Sequence, residues 1–306
     1  MSLARESLPE KKRRWFAAGA ADFAVSLPNA IKELGETEEI YCCPLCARAD
    51  FLKVFKVTAL ARGTLTAEDV PPRHSGGRPL VLTCKSCNNT AGHGIDAAAL
   101  EVENGRRFLQ GRGEGVVRIA AGPYQLGATL RWREDGGGTF RLFRNRDVAF
   151  SELRSITDGS SRDRSIRFKF SVRDPDDHFA RVSWLKSGFL AMFALFGYRY
   201  ALHPITEVVR RQIQDPNVEH IRTFSIRLTE ERAFSECRTF AIRIPDFPLC
   251  WGIQMGPYVV FLPGDTSEQL YPTLERLREE KQSFNFTATD TVWPTQPVFS
   301  LAHRFR

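Results

Sequence analysis

The chain has 306 residues, of which 42% are hydrophobic and 26% charged. This length and balance exclude a fibre or a largely disordered chain, and the length is typical of two domains. The formal net charge is +7, and arginine supplies most of the positive charge. Because the guanidinium group binds phosphate bidentately and stacks on bases, this charge favours a nucleic-acid partner. An Ala- and Arg-rich composition that reflects a GC-rich coding sequence is an equally good explanation.

The cysteine content and the apolar stretches favour the cytoplasm as the compartment of this protein. Seven cysteines in a chain of this length are typical of a reducing cytosol rather than of a disulfide scaffold. The first residues, MSLARESLPEKKRRWF, are charged where a secretion signal would be apolar. The most apolar stretch, 187–198, is shorter than the about 20 residues that span a bilayer and predicts a buried core helix. We therefore expect a cytoplasmic protein without membrane association.

The N-terminal segment is basic. Residues 1–16 are predicted to begin with a loose polar arm, and 11–14 form a short basic cluster. The cluster is interpreted as a solvated terminus, with a phosphate-contacting arm as the alternative. Residues 17–34 predict a helix that is interrupted near Pro28, because proline lacks the amide donor of a helix interior. Residues 1–40 are assigned to this basic, helical arm.

The next segment, 41–105, contains two C-x-x-C pairs, formed by Cys43, Cys46, Cys84 and Cys87. Each pair can direct two sulfur atoms at one ion, so the pairs together predict a closed tetrahedral zinc site with no open position for catalysis. The interval 47–83 is about twice the common length, and doubling a loop adds only about 0.6 kcal/mol. A redox dithiol needs one pair only. Cys42 also fits as a first ligand by spacing, although Pro44-Leu45 favours Cys43.

The remaining elements predict an α+β fold. Residues 80–83 form a short apolar strand, and a helix begins near Ile95 and ends near Gly105. Beyond it, 106–306 is predicted to form a larger mixed domain of antiparallel strands and helices. Its predicted strands are 116–120, 125–132, 139–144, 166–172, 223–228, 239–244, 258–262 and 284–289. Its predicted helices are 177–200, 206–214 and 267–281.

One resemblance covers about residues 41–100. The runs CPLC, LTAEDVPPRHSGG and LVLTCKSCNNTAG resemble the zinc-bearing HNH nucleases of the ββα-metal group. The resemblance implies a ββα module at 41–105, in which zinc holds together two strands and a helix. It also implies a catalytic divalent ion, Mg²⁺ or Mn²⁺, that stabilises charge on the scissile phosphate.

Carried over by position, the resemblance places Glu68 and Asn88 as ligands of the catalytic ion and Asp69 at the position of the catalytic base. The family has a histidine where this chain has Asp69, and aspartate is a weak base near neutral pH. Three arrangements restore the chemistry. Asp69 joins Glu68 as a metal ligand, or His74 acts as the base, or His93 does so.

Two functions follow from these expectations. The first is an HNH-like, metal-dependent endonuclease that acts on nucleic acid, with DNA favoured, in a bacterial defence or restriction system. The alternative is a zinc-stapled nucleic-acid-binding or interaction module that no longer cuts. Arginines on the predicted strands of 106–306 either form a nucleic-acid face or are the solvated side of a sheet. This region is also where a protein partner or a second copy of the chain is expected to bind.

Overall fold

The computed structural model describes residues 6–35, 38–47, 52–121, 124–143, 167–174, 177–228, 237–243, 249–264, 269–280, 287–291 and 293–299. The fold is α+β with antiparallel sheets, as the sequence predicts. The chain divides into two compact units. The first unit contains Met1–Ala97 and His178–Arg306, and the second contains Ala98–Asp177. These bounds differ from the predicted divisions at residues 40 and 105.

The N-terminal segment forms helix α1 (Leu8–Ser26) and helix α2 (Pro28–Leu34). The interruption predicted near Pro28 is confirmed. The loose arm predicted at the start of 1–16 gives way to α1 at Leu8, where the Glu10 carboxylate accepts a hydrogen bond of 2.8 Å from the Ser7 amide and closes a capping box. This S-x-x-E pattern is readable in the sequence. Trp15 and Phe16 are buried one turn later.

Two short strands, β1 (Tyr41–Cys42) and β2 (Val54–Phe55), pair before the small helix α3 (Thr58–Ala61). A hairpin then joins β3 (Leu65–Val70) to β4 (Arg78–Cys84), which contains the predicted strand 80–83. Helix α4 (Lys85–His93) follows directly. A helix that begins near Ile95 was predicted and is confirmed, whereas α4 was not predicted. The cap of α4 is the Cys84 sulfur, which accepts the Cys87 amide at 3.4 Å and is not one of the usual capping side chains.

Helix α5 (Ile95–Leu109) continues past Gly105, where an end was predicted. The second unit then forms one antiparallel sheet in the order β7-β6-β5-β8. Its strands are β5 (Glu114–Ala121), β6 (Tyr124–Trp132), β7 (Gly138–Leu142) and β8 (Arg167–Phe170). All four strands were predicted, because alternation of apolar and polar residues is a local pattern. Residues 144 and 166 of the predicted ranges lie outside the described residues.

The chain returns to the first unit with α6 (His178–Ala201), a short 3₁₀ turn (Pro204–Thr206) and α7 (Glu207–Gln214). By length and composition α6 could cross a membrane, but 89% of its most apolar window is buried inside the protein. The prediction of a buried core helix at 187–198 is confirmed. The predicted helix 206–214 is also confirmed.

A five-stranded antiparallel sheet completes the first unit, in the order β13-β10-β11-β12-β9. Helix α8 (Leu270–Glu279) contributes Leu270 and Leu274 to the core of this sheet. Strand β11 was not predicted, because all six of its residues are buried and no alternation marks it. The five strands are β9 (Ser225–Arg227), β10 (Arg238–Arg243), β11 (Cys250–Met255), β12 (Tyr258–Pro263) and β13 (Thr287–Thr291).

Helix α6 is interrupted at Gly197, whose φ of 70° and ψ of −156° are essentially restricted to glycine. The break lets the Tyr198 amide donate a 2.7 Å hydrogen bond to the Asp22 carboxylate of α1, and a Cβ at position 197 would overlap that carboxylate.

We expect Gly197→Ala to lower the free energy of unfolding by about 1–3 kcal/mol from backbone strain alone, as measured by urea unfolding. Gly188→Ala is the matched control, since a Cβ there meets its neighbours at an ordinary 3.5 Å. Equal losses in the two variants would contradict this account.

Candidate metal centre

The two C-x-x-C pairs meet at one point of the first unit. One pair lies in the turn after β1, while the other joins the end of β4 to the first turn of α4. The ligand atoms of all four cysteines lie within 4.8 Å of one another, and the Cys46 and Cys84 sulfur atoms are 3.9 Å apart. The group consists of Cys43, Cys46, Cys84 and Cys87.

The surroundings of these sulfur atoms suit a thiolate cluster. The Cys84 amide donates to the Cys43 sulfur at 3.3 Å, and the Cys87 amide donates to the Cys84 sulfur at 3.4 Å. Such donors stabilise negative charge on sulfur. Cys43 and Cys84 are buried and the other two are half-buried. Four converging thiolates are the donor set of a closed tetrahedral site, so this group could hold a metal ion such as zinc.

The neighbouring cysteine, Cys42, does not join the group. Its side chain is fully buried and its thiol points to the Cys43 carbonyl oxygen at 3.8 Å. Burial raises the pKa of Cys42 to about 12, while the Arg210 charge opposes the shift. The backbone of Cys42 is used structurally instead, because its amide donates to the Tyr198 hydroxyl at 3.0 Å. The C-x-x-C register that begins at Cys43 is therefore the one that the fold brings together.

Glu68, the first residue that the resemblance assigns to a catalytic ion, lies on β3 and is only 3% exposed. One of its oxygens is 2.7 Å from the Lys186 ammonium of α6, and the other accepts a 3.1 Å hydrogen bond from Thr83. Lys186 is fully buried and also lies 2.6 Å from Asp96, whose second oxygen accepts from Ser183 at 2.5 Å. Each of the four carboxylate oxygens therefore has a donor. We call Glu68, Asp96 and Lys186 the buried triad.

Burial and neighbouring charge change the pKa values of Glu68 and Lys186 in the buried triad. Burial raises the pKa of Glu68 above its ordinary value, and the attraction of Lys186 opposes that rise. Burial by itself would lower the pKa of Lys186, but the two carboxylates raise it above its usual value. The ammonium is therefore held in its charged form between two acids, which is the arrangement that a buried lysine requires.

The other two positions that the resemblance assigns are Asp69 and Asn88. Asp69 is next to Glu68 in the sequence, and Asn88 contacts the strand that contains Glu68. Asp69 is half-buried, and this burial raises its pKa, while Arg73 and Lys186 oppose the shift. The Asn88 amide nitrogen donates to the Thr66 hydroxyl at 3.1 Å and to the Ala67 carbonyl oxygen at 3.3 Å. Asn88 thus ties α4 to β3 beside Glu68.

The two candidate histidine bases lie in different elements. His74 lies in the 3₁₀ turn Arg73–Ser75 and is half-buried, whereas His93 ends α4 and is exposed. Within the described ranges, the four cysteines are the one group of three or more His, Cys, Asp or Glu side chains whose ligand atoms lie close enough together to hold a metal ion. A second ligand cluster containing Glu68, Asp69 and either histidine is not formed in this conformation.

Sequence reasoning missed Lys186 and Asp96. A signal for Lys186 was present, because it is the one charged residue in the apolar run from Trp184 to Tyr198. A lone lysine in such a run indicates a buried ion pair, since lysine is almost never fully buried without a partner. Nothing in the sequence pointed to its partners, which lie 118 and 90 residues away.

The fold and the site together define an α+β protein with a four-cysteine candidate metal centre. Comparison of the chain with protein-family models, with curated proteins and with solved structures finds no match.

Proposed function

We propose that this chain is a nucleic-acid-binding protein in which zinc, held by the four cysteines, staples an HNH-like ββα module that does not cut. The observation that carries the proposal is the 2.7 Å contact between the buried Lys186 ammonium and Glu68. The proposed module consists of β3, β4 and α4, which follow one another along the chain as strand, strand and helix. The proposal selects the second of the two functions that the sequence predicts.

The buried triad works against a catalytic ion. A Mg²⁺ or Mn²⁺ ion at Glu68 would have to displace Lys186, which is fully buried and would lose one of its two carboxylate partners. Breaking a buried ion pair in this way costs about 3–5 kcal/mol. The base position holds Asp69 instead of histidine, and a missing base typically slows a reaction by about 10²–10⁴. The pairing of Glu68 with Lys186 and the replacement of histidine by Asp69 therefore both disfavour cleavage.

A basic groove beside the module supports nucleic acid as the ligand. A cavity of about 1050 Å³ lies between α1 and the turn that joins β3 to β4. Lys11, Arg14 and Arg78 line it, together with the half-buried Trp293. Arg14 also pairs with Glu6 at 2.8 Å, at a position where both side chains are partly exposed. Cations and an indole along one groove are the groups that contact phosphates and bases.

The test measures binding and cleavage on the same DNA and RNA substrates. We expect wild-type protein to bind oligonucleotides with an affinity that falls steeply as salt rises, because phosphate contacts release counterions. With Mg²⁺ or Mn²⁺ we expect every substrate to stay intact. Asp69→His, which restores the histidine of the HNH pattern, should also leave substrates intact while the triad holds Glu68. Lys11→Glu with Arg78→Glu should weaken binding, whereas Lys32→Glu, an exposed control on α2, should not.

Two outcomes would overturn the proposal. If the wild-type protein cleaves a substrate and Glu68→Ala and Asn88→Ala abolish the cleavage, the protein is a nuclease. A protein that binds no oligonucleotide even at low salt would exclude both functions.

A further inference from the structure

The sheet of the second unit has one covered face and one exposed face. Val117, Ile119, Ala128 and Leu130 are buried and pack with Phe108 of α5. Because side chains alternate along a strand, their neighbours lie on the opposite side. We call that side the open face, and define it by Val116, Arg118, Gly127, Arg131, Arg141 and Lys169. Val116 is 66% exposed, and the four cations are exposed as well.

Positive charge dominates the open face. The register places Arg118 directly opposite Lys169, and like charges in opposed positions destabilise a sheet. Neither side chain makes an ion pair with any other residue in the part of the chain that the structure describes. Arg141 lies on the edge strand β7, and Arg131 lies opposite Glu114, which is the one acid on this face among the described residues of the four strands. Four cations against one acid fit an anionic ligand with several charges.

An exposed aromatic ring lies on the same face. Phe143 follows β7, its amide donates to the Gly127 carbonyl oxygen at 2.8 Å, and its side chain is 46% exposed. A Cβ at position 127 would be 2.9 Å from the ring, so the glycine leaves the space in which the ring lies against the sheet. Gly127 is directly opposite Arg118. The ring, Arg118 and Lys169 therefore follow one another across neighbouring strands, which are about 4.8 Å apart.

We propose that the open face binds single-stranded nucleic acid, with a base stacked on Phe143 and the adjoining phosphates held by Arg118 and Lys169. A ring beside cations on a flat sheet is the combination that single strands need, because their bases are free to stack while the backbone carries the charge. A duplex keeps its bases stacked on each other and has none to offer to Phe143. The inference rests on the proposed function only in taking nucleic acid as the ligand. It concerns residues of the second unit, whereas the groove beside the ββα module is lined by residues of the first.

The experiment measures the affinity of the full-length protein for labelled poly-dT, poly-rU and a duplex of the same length, by fluorescence anisotropy. Phe143→Ala should weaken binding of the single strands by about 5- to 100-fold and leave duplex binding unchanged. Arg118→Ala with Lys169→Ala should reduce the slope of log affinity against log salt for single strands by about 1.4. Comparison of poly-dT with poly-rU distinguishes DNA from RNA as the preferred strand.

Matched controls come from the same sheet. Phe140→Ala removes a partly exposed ring that the register places opposite Leu130, on the covered side. Arg133→Ala removes an exposed arginine that pairs with Asp135 at 3.1 Å in the turn after β6. Neither control should change single-strand affinity. Phe143→Trp should keep the affinity and add fluorescence that poly-dT quenches, which supplies a readout if Phe143→Ala folds poorly.

The outcomes separate the two proposals. If the wild-type protein binds and the Phe143 and Arg118 variants bind equally tightly, the open face is not the binding site, and the proposed function still stands. Equal losses for single strands and duplex in Phe143→Ala would overturn the stacking of a base. Absence of any oligonucleotide binding by the wild-type protein at low salt would overturn both proposals.

Discussion

Purified protein is expected to contain a single zinc ion per molecule, and Cys84→Ser is expected to remove it and to unfold the first unit. Structural zinc contributes on the order of 10 kcal/mol or more to folding, which equals or exceeds the whole stability of a typical domain. Cys84 carries much of this effect, because it ends β4, caps α4 and accepts the Cys87 amide. Metal analysis by mass spectrometry and the unfolding midpoint with and without a chelator are the measurements.

Two other cysteines are controls for this prediction. Cys42→Ala tests the register, because Cys42 is adjacent to the ligands but outside the cluster. Cys237→Ser tests for a general effect of losing a thiol at a half-buried position. Both variants should keep zinc. A protein that keeps its metal and its unfolding midpoint after Cys84→Ser would show that the four cysteines are not a structural zinc site.

Replacing Lys186 by methionine is expected to lower the free energy of unfolding by about 3–5 kcal/mol, because it leaves two carboxylates buried without their common cation. Methionine keeps most of the side-chain volume, so the loss reports charge rather than a cavity. Lys186 is fully buried, and its ammonium lies within 2.7 Å of both Glu68 and Asp96. Urea unfolding at neutral pH measures the change.

A triple variant tests whether the charges of the triad cause this loss. Lys186→Met combined with Glu68→Gln and Asp96→Asn removes all three charges, and should recover a large part of the lost stability. Lys32→Met, at an exposed position of α2, is the control and should change stability by less than about 0.5 kcal/mol. If the single and triple variants were equally unstable, the charges of the triad would not cause the loss, and Lys186 would not keep a catalytic ion from Glu68.

The candidate site was partly predictable because metal ligands in C-x-x-C pairs are a local pattern. A tight turn brings each pair of sulfur atoms together, and two such pairs complete a tetrahedral shell. Spacing left Cys42 open as an alternative to Cys43, and the structure decided between them. The same local character explains why β5 to β8 and the core helix α6 were predicted. Elements without local alternation, such as β11, were missed for the corresponding reason.

The positions proposed for catalysis could not be judged from spacing. The pattern placed Glu68 at a metal-ligand position, but whether a carboxylate is available depends on what faces it. Lys186 faces it from 118 residues further along the chain, on a helix that the sequence marks only as buried. Similarly, Phe143 and Arg118 belong to one surface only because the sheet order brings β7, β6 and β5 side by side.

The sequence by itself determined the α+β class, the four cysteines of the candidate metal centre and the excess of positive charge, since each depends on composition or on residues a few positions apart. The tertiary structure decided the buried triad and the open face, because both consist of residues from distant segments whose side chains meet only when helices and strands pack. A short-range pattern shows which functional groups a segment contains. Long-range packing decides whether those groups are free to bind a ligand or are already paired with another side chain, as Glu68 is with Lys186.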